Sequence, residues 1–322
     1  MGGGAFRCGC RRVPAAGFAF NCSRNAVGAL SSTNTPRFCR GELLPWLARF
    51  LRRWAPVCLK LHVLASGSKG NAAIVENAAT GEGLLIDCGL CKRDFLARAA
   101  EAGFDVRRLR GVLVTHAHSD HTKCLGVVLR SLAKEGVRVP LYAHPETVRE
   151  SGPLQQVRDD GLAELRPLAA GDVLGLAGMQ VHPFATSHDA AVSFGFRVEC
   201  EGEALGYLTD SGCVSAAAHE ALSGVRLLAL ESNHCPSMLK TCGYPYYLQQ
   251  RIASDEGHLS NSQAADELAA LLHPGLEAVV AMHVSQESNT YVIPRRTLGQ
   301  VLADAGHSAQ LSVALQQQLV SL

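Results

Sequence analysis

A short apolar run that ends in four potential metal ligands constrains this chain more than any other feature. In Gly111–His121 the residues Val112, Leu113 and Val114 read as a buried strand. His116, His118, Asp120 and His121 follow within six positions. Side chains at i and i+2 of an extended segment point the same way, so His116 and His118 can reach one cation together. The apolar run Leu125 to Leu132 then reads as a helix, so the chain is expected to turn near Asp120 and His121. That turn aims the second pair at a neighbouring point and leaves room for a second metal. Imidazole nitrogen and carboxylate oxygen suit zinc or another first-row divalent ion. A polar loop that happens to be rich in histidine is the plain alternative, and the spacing directly off a strand weighs against it.

Composition sets the outer bounds. A chain of 322 residues, 47% of them hydrophobic, can bury one sizeable core or two modest ones. No apolar run approaches the roughly 18 residues that span a bilayer. The net charge of +1 hides an asymmetry: Met1 to Lys60 holds ten Lys/Arg against the single acid Glu42, and the remainder holds 20 basic and 28 acidic residues. All 13 histidines follow residue 60. The later region is therefore not broadly basic, and any nucleic-acid surface on it must be a local patch. Twelve cysteines in a chain this long, with no convincing secretion signal, are expected to be scattered reduced thiols in a cytoplasmic protein. Cys88-Gly-Leu-Cys91 is a lone C-x-x-C and is read as coincidence.

Residues 1–57 read as a basic leader, rich in Cys, Gly and Arg and largely disordered, with 58–322 as the catalytic domain. The excess of arginine over acid also suits an organelle transit peptide. Leu43, Leu44, Trp46, Leu47, Phe50, Leu51 and Trp54 recur at helical spacing, so an amphipathic helix is expected near 42–54. It suits a membrane surface or partner, a face packed on the domain, or simply part of the leader.

Further along, Lys60–Ala65, Ala72–Glu76, Gly83–Asp87, Arg138–Ala143, Met179–Phe184, Phe194–Val198, Ala204–Thr209, Arg226–Glu231 and Leu276–Met282 read as strands. Asp94–Ala102, the segment after His121, the stretch from Ser260 to Leu272 and Pro294–Ala305 read as helices. The loop Ser66–Asn71 is built of small residues that let backbone N–H groups approach an anion, or that serve an ordinary hairpin. Asp87, Asp210 and His283 each close a strand. His188 follows another in Thr186-Ser-His-Asp189, and His182 is taken as a structural histidine. Tyr244-Pro-Tyr-Tyr247 offers rings that could stack on nucleobases or pack a loop.

The motif His116-x-His118-x-Asp120-His121 resembles the signature of the metallo-β-lactamase-fold hydrolases. Ser66-Gly-Ser-Lys-Gly-Asn71, Thr209-Asp-Ser-Gly212, Gly257-His-Leu-Ser-Asn261 and His283-Val-Ser285 narrow the likeness to the YycJ/WalJ-like exonuclease branch, from about Leu61 to near the C-terminus. The resemblance implies an α+β four-layer αββα sandwich with a metal site at one edge. It implies two divalent ions, Zn2+ or Mn2+: His116, His118 and His188 on one, Asp120, His121 and His283 on the other, and Asp210 bridging. Asp87 would brace the metal loop from behind. Asp120 and His258 would be the catalytic residues, with His258 on the scissile phosphate beside Ser66, Ser68, Asn71 and Asn261 as substrate contacts. The implied activity is 5′ to 3′ exonuclease action on DNA, with a metal-bridging hydroxide as nucleophile. An ester or thioester hydrolase of the glyoxalase II type and an RNA-processing nuclease are the alternatives; a non-catalytic sensor would not need the complete ligand set.

Overall fold

Side chains that alternate between two buried faces along the strands build two sheets with three apolar layers. The computed structural model describes Met1 and residues 57–322. The helix expected near 42–54 lies outside the described residues. The strands are β1 (Leu59–Ala65), β2 (Ala72–Asn77), β3 (Glu82–Ile86), β4 (Leu109–Leu113), β5 (Leu141–Ala143), β6 (Leu165–Pro167), β7 (Leu174–Leu176), β8 (Met179–Ala185), β9 (Phe194–Cys200), β10 (Glu203–Leu208), β11 (Leu227–Glu231), β12 (Ala278–Met282), β13 (Gln310–Val313) and β14 (Val320–Ser321). They form two seven-stranded sheets, ordered β14-β1-β2-β3-β4-β5-β6 and β13-β12-β11-β10-β9-β8-β7.

Leu59, Leu61 and Val63 of β1 face the other sheet, where they meet the layer that includes Val181, Phe196, Leu205, Tyr207 and Val280. Leu64 points the opposite way, into a layer with Phe95, Leu125, Val128 and Leu154 from the helices Lys92–Glu101, Leu125–Lys134 and Gly152–Asp159. The second sheet repeats the pattern. Leu227 and Ala229 face inward, while Leu228 and Leu230 pack on Leu222, Leu268 and Leu298 from Ala216–Leu222, Asn261–Leu271 and Val292–Asp304. A period of two on strands buried on both faces therefore gives the αββα order.

Strand direction places the site. β3 runs parallel to β4, and β1 runs with β3 through two antiparallel steps. β10, β11 and β12 are mutually parallel, and β8 runs with β10 through β9. Within each sheet, then, the loops after β1, β3 and β4, or after β8, β10, β11 and β12, leave the same edge. The residues that take up these exits include three non-glycines with left-handed backbone: Asp87, Asp210 and His283, at φ of 57°, 53° and 52°. Such conformations cost energy and persist where the surroundings fix them, commonly at functional sites.

Two expectations need correction. Cys58, at the start of β1, and Cys200, at the end of β9, are joined by a disulfide with Cα atoms 6.1 Å apart, so not all thiols are free. The face-to-face packing of the sheets brings these strand ends together, which spacing 142 residues apart does not reveal. The expected strand Arg138–Ala143 pairs only over Leu141–Ala143. Pro140 has no N–H to donate to a ladder, although its carbonyl accepts from Val112 N.

Candidate metal centre

Each strand exit contributes a donor, and the backbone around it explains why it points inward. After β3, Asp87 is fully buried, and its two oxygens accept from Thr115 N at 2.8 Å, Thr115 Oγ1 at 2.7 Å and His121 Nδ1 at 2.7 Å. Holding Nδ1 this way leaves His121 Nε2 as the ligating nitrogen, the usual device at metal-binding histidines. That nitrogen lies 3.2 Å from Asp210 Oδ2 and 3.4 Å from Asp120 Oδ2. His118 carries the extended backbone that precedes the short helix Ser119–Thr122, so the chain turns as the sequence predicts.

After β8, His188 is held by the Gly257 carbonyl at Nδ1 (3.0 Å), and its Nε2 lies 3.2 Å from His118 Nδ1. After β12, His283 is fixed through its backbone N–H to Ser66 Oγ at 2.8 Å, and its Nε2 sits 3.4 Å from Asp120 Oδ2. Asp210, after β10, stands between the two groups, with Oδ1 3.3 Å from His283 Nδ1 and 3.8 Å from His188 Nε2. Donor atoms of His116, His118 and His188 lie within 4.8 Å of one another, as do those of Asp120, His121 and His283, and those of His116, His121 and Asp210.

The electrostatics are those of a crowded, largely buried site. Burial favours the neutral carboxyl of Asp210, but His283 and His121 outweigh it and hold the group well below the usual carboxylate range. Asp120 is held down in the same way: burial opposes, and His121 and His283 prevail. Burial pushes His116 well below the ordinary imidazole value, with His121 adding to the effect. His116 is therefore neutral with a free lone pair, and its buried Nε2 has no hydrogen-bond partner. A buried ring nitrogen without a partner is costly unless something electron-poor occupies the space it faces. Together with hard carboxylate oxygens and four further imidazoles, it fits divalent cations.

The second face of the site holds a residue that the sequence reading left out. Glu231 ends β11 with no exposure. Its Oε1 is bonded to His258 Nδ1 at 2.8 Å and His283 Nδ1 at 3.1 Å, while Oε2 accepts from Ser211 N at 2.8 Å and Leu259 N at 3.2 Å. Burial alone would raise this carboxyl, but the adjoining His258 outweighs it and keeps the group at about 2. One carboxylate thus ties together three of the loops that build the centre. An apolar strand ending in an acid is the same pattern that marked Asp87 and Asp210, and it is the signal that could have found Glu231.

The expected substrate contacts divide. His258 is partly exposed and Ser68 exposed. Ser66, Asn71 and Asn261 are buried, and their polar atoms serve the loops. Asn71 Oδ1 accepts from Gly67 N at 2.9 Å, and its amide lies 3.0 Å from His121 Nε2 and 3.2 Å from Asp120 Oδ2. Asn261 accepts from Ser232 Oγ at 2.7 Å and donates to Asn289 at 3.1 Å. Ser260 caps the following helix, in a reciprocal box with Gln263. His182 sits on β8 beside Glu199, outside the donor groups.

Comparison with known proteins agrees with this architecture. The β-lactamase superfamily domain matches residues 83–284. Exodeoxyribonuclease YycJ of Bacillus anthracis is 32% identical over 248 residues, covering 77% of this chain and 90% of that one. Exodeoxyribonuclease WalJ of Streptococcus pneumoniae is 28% identical over 246 residues, covering 76% and 89%. Among solved structures, the metallo-β-lactamase fold protein YhfI of Bacillus subtilis superposes with a TM-score of 0.60 at 16% identity, over 82% of this chain and 99% of that one, a likeness of fold alone. With a largely buried histidine–carboxylate cluster at the edge of an αββα sandwich, the chain belongs to the metallo-β-lactamase-fold hydrolase superfamily, in its YycJ/WalJ-like branch.

Proposed function

We propose that this protein is a phosphodiesterase that uses two divalent cations, Zn2+ or Mn2+, to degrade DNA from the 5′ end. The observation that carries the reading is the convergence of seven donors into two triads flanking Asp210. His116, His118 and His188 would hold one ion, Asp120, His121 and His283 the other, and Asp210 both. Bound there, such cations supply Lewis acidity toward a phosphate and an acidified water at neutral pH.

The protein's own residues supply the rest. Asp87, Glu231 and the Gly257 carbonyl orient the ligating rings before any ion arrives, which lowers the ordering cost of binding. His258 is held at Nδ1 by Glu231, so Nε2 is the ring nitrogen left for the substrate; with a second proton there, the ring would donate to a phosphate oxygen or to the departing oxygen. Asp120 sits between His121 and His283, with Oδ2 3.4 Å from the Nε2 of each. As a carboxylate it would add a negative charge to the second cation site. Exodeoxyribonuclease relatives support DNA as the polymer. A cytoplasmic location follows from that reading; among the described residues no helix is long and apolar enough to cross a membrane.

The test is digestion of end-labelled DNA and RNA carrying 5′-phosphate or 5′-hydroxyl ends, beside lactoylglutathione. The expected result is mononucleotide release from 5′-phosphorylated DNA, abolished by chelation with the fold retained. The doubly substituted protein Asp120→Ala/His121→Ala should lose at least about 100-fold, since even partners outside the ligand set cost about 10- to 100-fold. Efficient thioester hydrolysis without DNA cleavage would move the protein to the small-molecule branch of the superfamily.

A further inference from the structure

Beside the donor cluster lies a cavity that the chemistry so far does not use. It has a volume of about 170 Å³ and is lined by Asp189, Tyr244, Leu248, Arg251, Ile252 and His258, with Gly257. Pockets for drug-sized molecules start at roughly 300 Å³, so this one takes a single ring-sized group. His258 places it against the centre, since that ring lies 5.0 Å from His188 and 5.1 Å from His283, centroid to centroid. Anything lodged here is within a nucleotide's reach of a phosphate on the cluster.

The walls are of two kinds. Tyr244, Leu248 and Ile252 are aromatic or aliphatic and offer a flat ring something to lie on. Arg251 brings a guanidinium with 54% of its side chain exposed, ion-paired to Asp189. The same Asp189 has its other oxygen 3.3 Å from His188 Nε2. The helix Tyr246–Ile252, which supplies three of the lining residues, starts with Tyr246 and Tyr247, 74% and 73% exposed. They are the only aromatic residues among the large exposed apolar side chains of the described residues. A surface that is otherwise not basic thus presents rings and one cation together at the edge of the centre, the combination that binds single-stranded nucleic acid.

We propose that this cavity receives one unpaired nucleobase flanking the scissile phosphate, stacked on Tyr244 with Arg251 beside its phosphate, so that the substrate is a single-stranded or frayed DNA end. The inference rests on the exonuclease reading for the identity of the polymer. A base still paired in a duplex cannot enter a space of this size with its partner, so a blunt, GC-rich end must open before it is cut.

The experiment uses the full chain with its metals and 5′-phosphorylated single strands in which one nucleotide is abasic. Removing the base at the first or second position should lower kcat/KM by about 5- to 100-fold, the range expected for one stacked base, and removal at the sixth should not. Tyr244→Ala should lower cleavage of the intact strand by a similar factor and no longer distinguish intact from abasic ends. Tyr244→Phe should keep both properties. Leu248→Trp, which fills the cavity without deleting a contact, should behave like Tyr244→Ala. In parallel, 2-aminopurine at the sensitive position of a phosphorothioate strand should be quenched by the wild type and not by Leu248→Trp. Equal cleavage of intact and abasic ends by the wild type, or full discrimination by Leu248→Trp, would overturn the proposal. Should the protein cut no DNA, the exonuclease reading fails, and the quenching measurement still decides the cavity: no quenching on DNA or RNA overturns it.

Discussion

Glu231 shows how much of the centre rests on one buried carboxylate. It accepts from two ring nitrogens and two backbone N–H groups, so four donors depend on one carboxylate that has no exposure of its own. Glu231→Gln keeps the shape but removes the charge, and should lower metal affinity and kcat by about 10- to 100-fold with a near-native melting temperature. Glu231→Ala should in addition destabilise the fold by about 3–5 kcal/mol, measurable by chemical denaturation, because partners are left buried and unmatched. His234 gives a pH signature. Burial pushes its imidazole down to about 4, whereas in the unfolded chain it titrates near 6.5. As pH falls through that window the unfolded state takes up the proton first, so stability is lost between about pH 6.5 and 4. His234→Gln should flatten this part of the stability–pH curve, by an amount on the order of 2–3 kcal/mol; an unchanged slope would show that other groups carry it. At this scale the seven proposed ligands were legible through local spacing and family resemblance. Glu231 was not, because LLALE reads first as a buried strand and its acid meets its partners only through residues 27 and 52 positions away.

Between residues and the whole molecule, the loops after the strands hold one another. The Ser66–Asn71 loop is clamped from the far end of the chain: Gln316 Oε1 accepts from Lys69 N at 3.0 Å and Nε2 donates to Gly70 O at 2.8 Å. Gln316→Ala should cost about 1–3 kcal/mol in denaturant unfolding, the penalty for backbone groups left unpaired, and should reduce nuclease activity several-fold by freeing Asn71 from its place beside His121. Gly89 is a second fastening point. A Cβ there would overlap the carbonyl oxygen of Asp120, so Gly89→Ala must displace the backbone of the metal loop. The variant should fold and bind metal poorly, as titration calorimetry would show. Elements of this kind were only partly readable. Strands with clear alternation, such as β1 and β8, matched the sequence pattern to within a residue or two. β6, β7 and β14 have two or three residues each and no pattern to read. The clamp from Gln316 depends on contacts 246 and 247 residues apart, which no local rule supplies.

For the molecule as a whole, two sheets buried on both faces give a rigid frame, and parallel strand exits gather chemistry on one edge of it. The layer order was legible because buried strands and amphipathic helices leave few ways to cover both faces of two sheets, and the family resemblance selected one. Invisible beforehand were the bond between Cys58 and Cys200 and the cavity under Tyr244, both products of chain segments meeting in space. The central claim is that Asp210 joins two adjacent cation sites whose occupancy is required for cutting DNA. It is tested most directly by measuring bound metal per chain and 5′-end digestion together for the wild type and Asp210→Asn. The account predicts close to two ions per wild-type chain, a loss of at least one in the variant, and a fall in nuclease activity of about 100-fold or more. Unaltered metal content with undiminished digestion in Asp210→Asn would contradict it.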